Sequence, residues 1–243
     1  ELIFIGLSYL LFKAQFRFLR NIEKWIAAHP HETIVLSLAL IYTIYFATIS
    51  MLRYDHFYAG RFDLGNMAQT VWNTSTGNFF MLTDPNGTRE ISRLAFHADF
   101  ILALLAPFYW IWPDPRVILI VQAAVTAIGA YFVYLITKKV LNQKVLGLVL
   151  AFAYLISPSV QRVTIYDFHA PALATTFLLA TFYFYLQKKY IWFFVFAFLA
   201  AICKEQIWAI IAVFGIFLMI HHKKYIMGTL TFLFSAGMFY FLV

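Results

Sequence analysis

Four small groups of residues have the types and spacing to do chemistry. Asp63 stands in a polar stretch just ahead of the apolar-periodic run 64–73. A carboxylate at that place suits a general base that takes a proton from a hydroxyl acceptor. It would equally serve as an N-cap for a helix beginning at Leu64. His97-Ala-Asp99 and Asp167-Phe-His169 form a mirrored pair of motifs, each beside an apolar run. Such pairs ligate a divalent metal or hold a phosphate through a charged imidazole. They also occur as interfacial hydrogen-bonded groups. Lys204-Glu205 lies between two apolar runs. Ionisable residues there are costly and mark function, with Lys204 as a point charge for a phosphate; a mutual ion pair is the plainer reading.

Arginines add a fifth resource. Arg53, Arg61, Arg89, Arg93, Arg116 and Arg162 are spread along the chain, and most suit solvent or lipid headgroups. Arg93 and Arg162 are nearest in sequence to the His/Asp motifs, which makes them the candidates for an anionic substrate. Asn73-Thr-Ser and Asn86-Gly-Thr match short glycosylation patterns of low specificity. No Gly-rich phosphate loop, HExxH helix or GxSxG elbow occurs, so ordinary nucleotide hydrolysis and hydrolase chemistry are excluded for this sequence.

The elements that must position these residues are set by composition. Of 243 residues, 63% are hydrophobic and 12% charged, a balance that no soluble domain could cover with polar surface. In a bilayer the backbone must satisfy itself, and long apolar runs point to helices rather than a barrel. The 28 Phe and 15 Tyr suit lipid contact and interfacial belts. The net charge of +7 does not mark a nucleic-acid partner, because the basic residues sit at the ends of apolar runs. With one cysteine, Cys203, neither an intramolecular disulfide nor a cysteine zinc site can form.

Spans are expected over 33–51, 116–137, 145–160, 170–186, 190–202, 206–220 and 225–243, about seven in all. Residues 1–12 read as the end of another span or a surface helix. Glu1 in place of Met, and Val243 inside an apolar run, read as a piece of a longer protein. Residues 94–112 are apolar but interrupted by His97, Asp99 and Pro107. If they do not cross, the basic clusters at 13–24, 138–144, 188–189 and 223–224 all fall on one side, as the positive-inside rule asks. The segment is therefore expected to lie in the outer leaflet. The division is then 1–32, a basic cytoplasmic segment, and 33–243, a membrane domain with an outer loop over 53–115. That loop exceeds ordinary connection lengths. Its run Leu64, Met67, Ala68, Val71 and Trp72 recurs at helical spacing, predicting an amphipathic helix on the membrane surface. Asp63, the three histidines His56, His97 and His169, and most of the acids then face one compartment.

In order along the chain stand Phe62-Asp63-Leu64-Gly65, Gln69, Trp72-Asn73, His97-Ala-Asp99, Ala106-Pro107-Phe108-Tyr109, Gln122, Pro158, Asp167-Phe-His169-Ala-Pro171 and Cys203-Lys204-Glu205. These strings resemble the membrane-protein family "domain of unknown function 2079", over roughly residues 57–215. That family looks like a branch of the type C glycosyltransferases, which use a lipid-phosphate-linked sugar on the outer face. The resemblance implies Asp63 as the loop acid, with 64–73 and 94–112 as two juxtamembrane helices. In place of the paired prolines common at the start of the second such helix stands His97-Ala-Asp99.

The expectation is thus an all-α polytopic membrane protein. It would transfer a sugar from a polyprenyl-phosphate donor to an acceptor on the non-cytoplasmic face. Asp63 would be the catalytic base. His97, Asp99, Asp167, His169, Lys204, Glu205, Arg93 and Arg162 would bind substrate, with a divalent metal held by His97, Asp99, Asp167 and His169 as an optional cofactor. Its partners would be a lipid-linked sugar and membrane lipids, not nucleic acid. The alternatives are a transporter or a non-catalytic subunit of an envelope complex.

Overall fold

A computed structural model describes residues 13, 17 and 19–243. The expectation for residues 1–12 lies outside the described residues. Residues 19–28 are helical and lead into two long helices that form the frame. Helix α1 is Pro30–Asp55, with proline pre-set at its first position. Helix α4 is Arg116–Leu141. Between them, α2 (Asn66–Ser75) and α3 (Ile101–Ile111) belong to the loop. Each long helix has 26 residues, about 39 Å at 1.5 Å per residue.

Helices α1 and α4 run antiparallel, and ion pairs close both ends. Arg116 Nη2 meets Asp55 Oδ1 at 2.6 Å at one end, and Lys138 Nζ meets Glu32 Oε1 at 2.6 Å at the other. Between the ends, Ala39, Ala47, Ala123, Ala127 and Ala130 are buried in one core cluster. Small side chains of this kind let helix backbones approach closely in lipid.

Helices α5 (Lys144–Ile156) and α6 (Pro158–Ile165) are one apolar run broken at Ser157–Pro158 and bent by 47°. Proline removes a helical N–H and drives the residue before it to extended backbone; Ser157 has ψ 125°. Helix α7 (Ala170–Leu186) runs alongside α4: Thr176 Oγ1 donates to Val125 O, and Phe184 meets Phe132. Helices α8 (Tyr190–Ala201), α9 (Glu205–His222) and α10 (Tyr225–Leu242) complete the bundle as successive hairpins.

The turns joining these hairpins carry the lysines. Asn142, Lys188 and Lys223 adopt left-handed backbone that stops their helices, and Lys224 Nζ lies 5.8 Å from the Tyr190 ring. Lys138, Lys139, Lys144, Lys188, Lys189, Lys223 and Lys224 therefore gather at the Glu32 end of the bundle. Asp63, Asp167 and Glu205 lie at the Asp55 end.

The Asp55 end is capped by the folded loop. A five-residue π-helical turn, Arg61–Gly65, runs directly into α2. A small hairpin follows, β1 (Met81–Thr83) paired antiparallel with β2 (Glu90–Ser92). It is tied to α2 by Gln69 Nε2 donating to Thr83 Oγ1 (2.7 Å) and Asn73 Nδ2 donating to Met81 O (2.9 Å). Asp84 closes its turn by accepting from Thr88 N and Thr88 Oγ1. Strands this short leave no period-2 signal, and the sequence reading has no hairpin here.

Two other expectations change. The second loop helix begins at Ile101, not Leu94, because the N–H groups of Ala98 and Ile101 leave the helical pattern. They donate to Glu205 Oε2 and Ile202 O across the fold. By length and apolarity, three described helices can cross a membrane: Pro30–Asp55, Arg116–Leu141 and Tyr225–Leu242. A fourth is the bent pair α5–α6. The other apolar helices are shorter; α8, with 12 residues, spans only about 18 Å against a hydrocarbon core of about 30 Å. Among the described residues the fold is all-α apart from the hairpin, and membrane-like.

Candidate functional site

Asp63 is not a cap. It sits inside the π-helical turn, and the residue before α2 is Gly65, whose backbone is already helical. The wider π turn changes the direction in which a side chain leaves the helix, and such turns recur at functional sites. The Asp63 carboxylate meets the segment after α6. Tyr166 Oη donates to its Oδ2 at 3.0 Å, and His169 Nε2 lies 3.4 Å from its Oδ1.

Extended backbone at Tyr166 and His169 explains the spacing of the Asp-Phe-His motif. Alternate residues point the same way. Asp167 and His169 turn toward the loop, while Phe168 between them is fully buried in the core with Leu64 and Ala170. Gln122, fully buried on α4, fixes this wall. Its Nε2 donates to Val163 O (3.1 Å) and Tyr166 O (3.2 Å), and its Oε1 accepts from His169 N (2.8 Å).

Hydrogen bonding also fixes the imidazole. Nδ1 of His169 lies 2.9 Å from Asp167 O, which can only accept, so Nδ1 carries the hydrogen. Nε2 is the atom left for Asp63, and a bond between the two needs one shared proton. Asp167 is buried, and its Oδ2 accepts from Gly60 N at 2.5 Å. A Cβ at residue 60 would stand 3.1 Å from Asp167 Oδ2 and 3.7 Å from Asp63 Oδ2. Glycine therefore lets two carboxylates approach one point of the backbone. The Tyr166 hydroxyl is pushed above its ordinary range, first by the bond it donates to Asp63 and then by that carboxylate's charge.

Two cavities flank this cluster. One of about 630 Å³ has Gly60 in its wall with Tyr54, Gln69, Trp72 and Tyr109. The volume falls in the ordinary range of small-molecule sites. The Tyr109 hydroxyl is buried and makes no hydrogen bond among the described residues. The other, about 490 Å³, has Tyr166 in its wall with Arg53, Arg162 and Gln161.

The remaining sequence candidates form a second cluster. Asp99 has no exposed surface, and Arg93 is 6% exposed. Arg93 Nε and Nη2 both donate to Asp99 Oδ2, at 3.0 and 2.5 Å. Nδ1 of His97 lies 3.0 Å from Glu205 Oε1, whose other oxygen accepts from Ala98 N at 3.0 Å. Glu205 opens α9, where a negative charge suits the helix dipole. The plainer alternative, a Lys204–Glu205 ion pair, does not form; Lys204 is half-buried and makes no ion pair among the described residues. Both clusters rest on one core containing Phe168, Ile202 and Cys203. No hydrogen bond or ion pair among the described residues joins them.

His97 and Asp99 thus diverge toward different partners. Among the described residues, no three His, Cys, Asp or Glu side chains come together to hold a metal ion. The sequence reading places all of these residues in one site; the structure brings Asp63, Asp167 and His169 together and sets Arg93, His97, Asp99 and Glu205 apart, and the reading misses Gly60, Tyr166 and the part Gln122 plays. Tyr166 was the legible one, since it adjoins the motif.

Fold and site together define an all-α membrane protein with an acid–imidazole–phenol cluster at one end of its bundle. The chain belongs to the family described as predicted membrane protein (DUF2079), whose sequence model matches residues 53–243. No curated protein and no solved structure matches it.

Proposed function

We propose that the chain is a membrane glycosyltransferase that moves a sugar from a polyprenyl-phosphate donor to a hydroxyl acceptor. The observation that carries this reading is the Asp63 carboxylate, held by His169 and Tyr166 between an aromatic cavity and a cationic one. The acceptor hydroxyl gives its proton to Asp63 as its oxygen bonds to the sugar carbon. The bond from that carbon to the phosphate breaks, and the lipid phosphate leaves. His169, tied through Nδ1 to Asp167 O, orients Asp63. Arg93, His97, Asp99 and Glu205 act as supports, since each is engaged by another residue of the set or by backbone.

The lysine-bearing end faces the cytoplasm, with residues 1–32 on that side, and the Asp63 end faces out. All seven apolar segments of 33–243 cross in this reading, the short helices through a locally thinned bilayer. Helices α2 and α3 lie in the outer leaflet. The test is transfer of labelled sugar from a short polyprenyl-phosphate donor by the purified full chain. Asp63→Asn is expected to lower the rate by about 10²–10⁴-fold, the usual worth of a positioned base. Transfer at the wild-type rate by that variant removes the assigned role.

A further inference from the structure

The wall of the site away from the aromatic cavity carries charge that no described carboxylate neutralises. Arg53 comes from the last turn of α1 and Arg162 from α6, 109 positions later, yet both line the cavity of about 490 Å³. Neither makes an ion pair among the described residues. Arg53 Nη2 donates one bond, to Tyr58 O at 3.2 Å. Asp63 and Asp167, the carboxylates of the adjoining cluster, already accept from Tyr166 and Gly60. Two guanidinium groups in one cavity repel each other until an anion joins them. Their planar donor forks match the oxygens of a phosphate. Tyr166 belongs to both places: it lines this cavity, and its hydroxyl gives its one proton to Asp63 Oδ2.

We propose that the Arg53–Arg162 cavity binds a phosphate ester, and that the Tyr166 hydroxyl turns from Asp63 to the bound anion, freeing Asp63 Oδ2. The anion site stands on its own geometry, and only the use of the freed Asp63 rests on the transferase reading. Binding in the cavity then comes first, because an empty cavity leaves Asp63 covered. Arg53 and Arg162 hold the phosphate. Tyr166 is a positioning residue that acts through Asp63.

The test uses the full chain in phosphatidylcholine nanodiscs, titrated calorimetrically with four probes: a short polyprenyl phosphate, the matching polyprenol, inorganic pyrophosphate and uridine diphosphate glucose. At least one phosphate-bearing probe is expected to bind ten times more tightly than the polyprenol. Arg53→Gln and Arg162→Gln should each weaken that binding at least tenfold, while Arg162→Lys retains most of it and Arg89→Gln, on the hairpin turn, changes nothing. With carbon-13-labelled tyrosine, the ring signal missing from Tyr166→Phe should move when the probe saturates. Polyprenol binding as tightly as its phosphate overturns the subsite, and so does full binding by a folded Arg53→Gln/Arg162→Gln double variant. A Tyr166 signal that stays still at saturation overturns the switch. Binding of the soluble diphosphates without the polyprenyl phosphate keeps the subsite and counts against the lipid-linked donor. Sugar transfer that survives in the double variant keeps the transferase reading and sinks the subsite.

Discussion

Replacing Asp99 separates a structural role from a substrate-binding one. Its carboxylate is fully buried, and one of its oxygens takes both Arg93 donors. Asp99→Ala leaves a guanidinium buried at 6% exposure with no partner. Removing one member of a buried ion pair costs about 3–5 kcal/mol. The other oxygen, Oδ1, already makes no hydrogen bond among the described residues, and losing it relieves some desolvation. The expected cost is therefore near the low end, about 3 kcal/mol. For a chain of this size each kcal/mol moves the unfolding midpoint by roughly 2–4 °C, so the shift is about 6–12 °C downward. Asp99→Asn keeps an acceptor for Arg93 and should lose less. Removing both partners, Arg93→Met with Asp99→Leu, should recover most of the loss, because an apolar pair replaces a buried ionic one at little cost. The assay is thermal unfolding of the purified chain in one detergent at one scan rate. A midpoint for Asp99→Ala within 2 °C of wild type, or a double variant no better than the single, refutes the reasoning.

Other changes report on the rest of the site. Gly60→Ala places a methyl 3.1 Å from Asp167 Oδ2; on the proposed transferase reading, sugar transfer should fall by roughly tenfold through misplacement, with the unfolding midpoint almost unmoved. An unchanged rate would mean the two carboxylates need no close approach. Gln122→Leu removes three part-buried hydrogen bonds to backbone and should cost roughly 3 kcal/mol at about 1 kcal/mol each, read as a lower midpoint. Asp84 is held below the ordinary carboxylate range, chiefly by the Thr88 N–H. A lowered folded-state value stabilises fully above the unfolded carboxyl's pKa and is lost as pH falls through the folded one. Protease cleavage at the 85–89 turn should therefore rise only in acid, and Asp84→Asn should flatten that rise.

The fold was legible where one physical rule dominated. Apolar runs marked the helices, and lysines at the turns marked one end of the bundle, as the structure bears out. Length was less legible: the 145–160 run looked like one span, but Pro158 breaks it, and 190–202 gave only a 12-residue helix. At the site, Asp63, Asp167 and His169 showed themselves by type. Their geometry did not, because an Asp ahead of an amphipathic run is written identically for a cap and for a π turn. Arg93, His97, Asp99 and Glu205 also showed themselves by type, but their pairing with one another did not. Long-range pairing across 108 positions, as between His97 and Glu205, leaves no local trace. Arg53 looked like one loop charge among six until α6 brought Arg162 to the same cavity.

Gln122 has a consequence for how the site can change shape. Its three bonds lock the 163–169 strip to the middle of the bundle, on a helix that runs the depth of the protein. That half is as stationary as α4 itself. The opposing half, residues 57–65, meets it through the bonds of Gly60 and Asp63 and through Leu64, which is buried in the same core as Phe168. Any widening around Asp63 must therefore break the bonds of Gly60 and Asp63 and shift Leu64 in the core, or else break the three Gln122 bonds that hold the wall bearing Asp167 and His169.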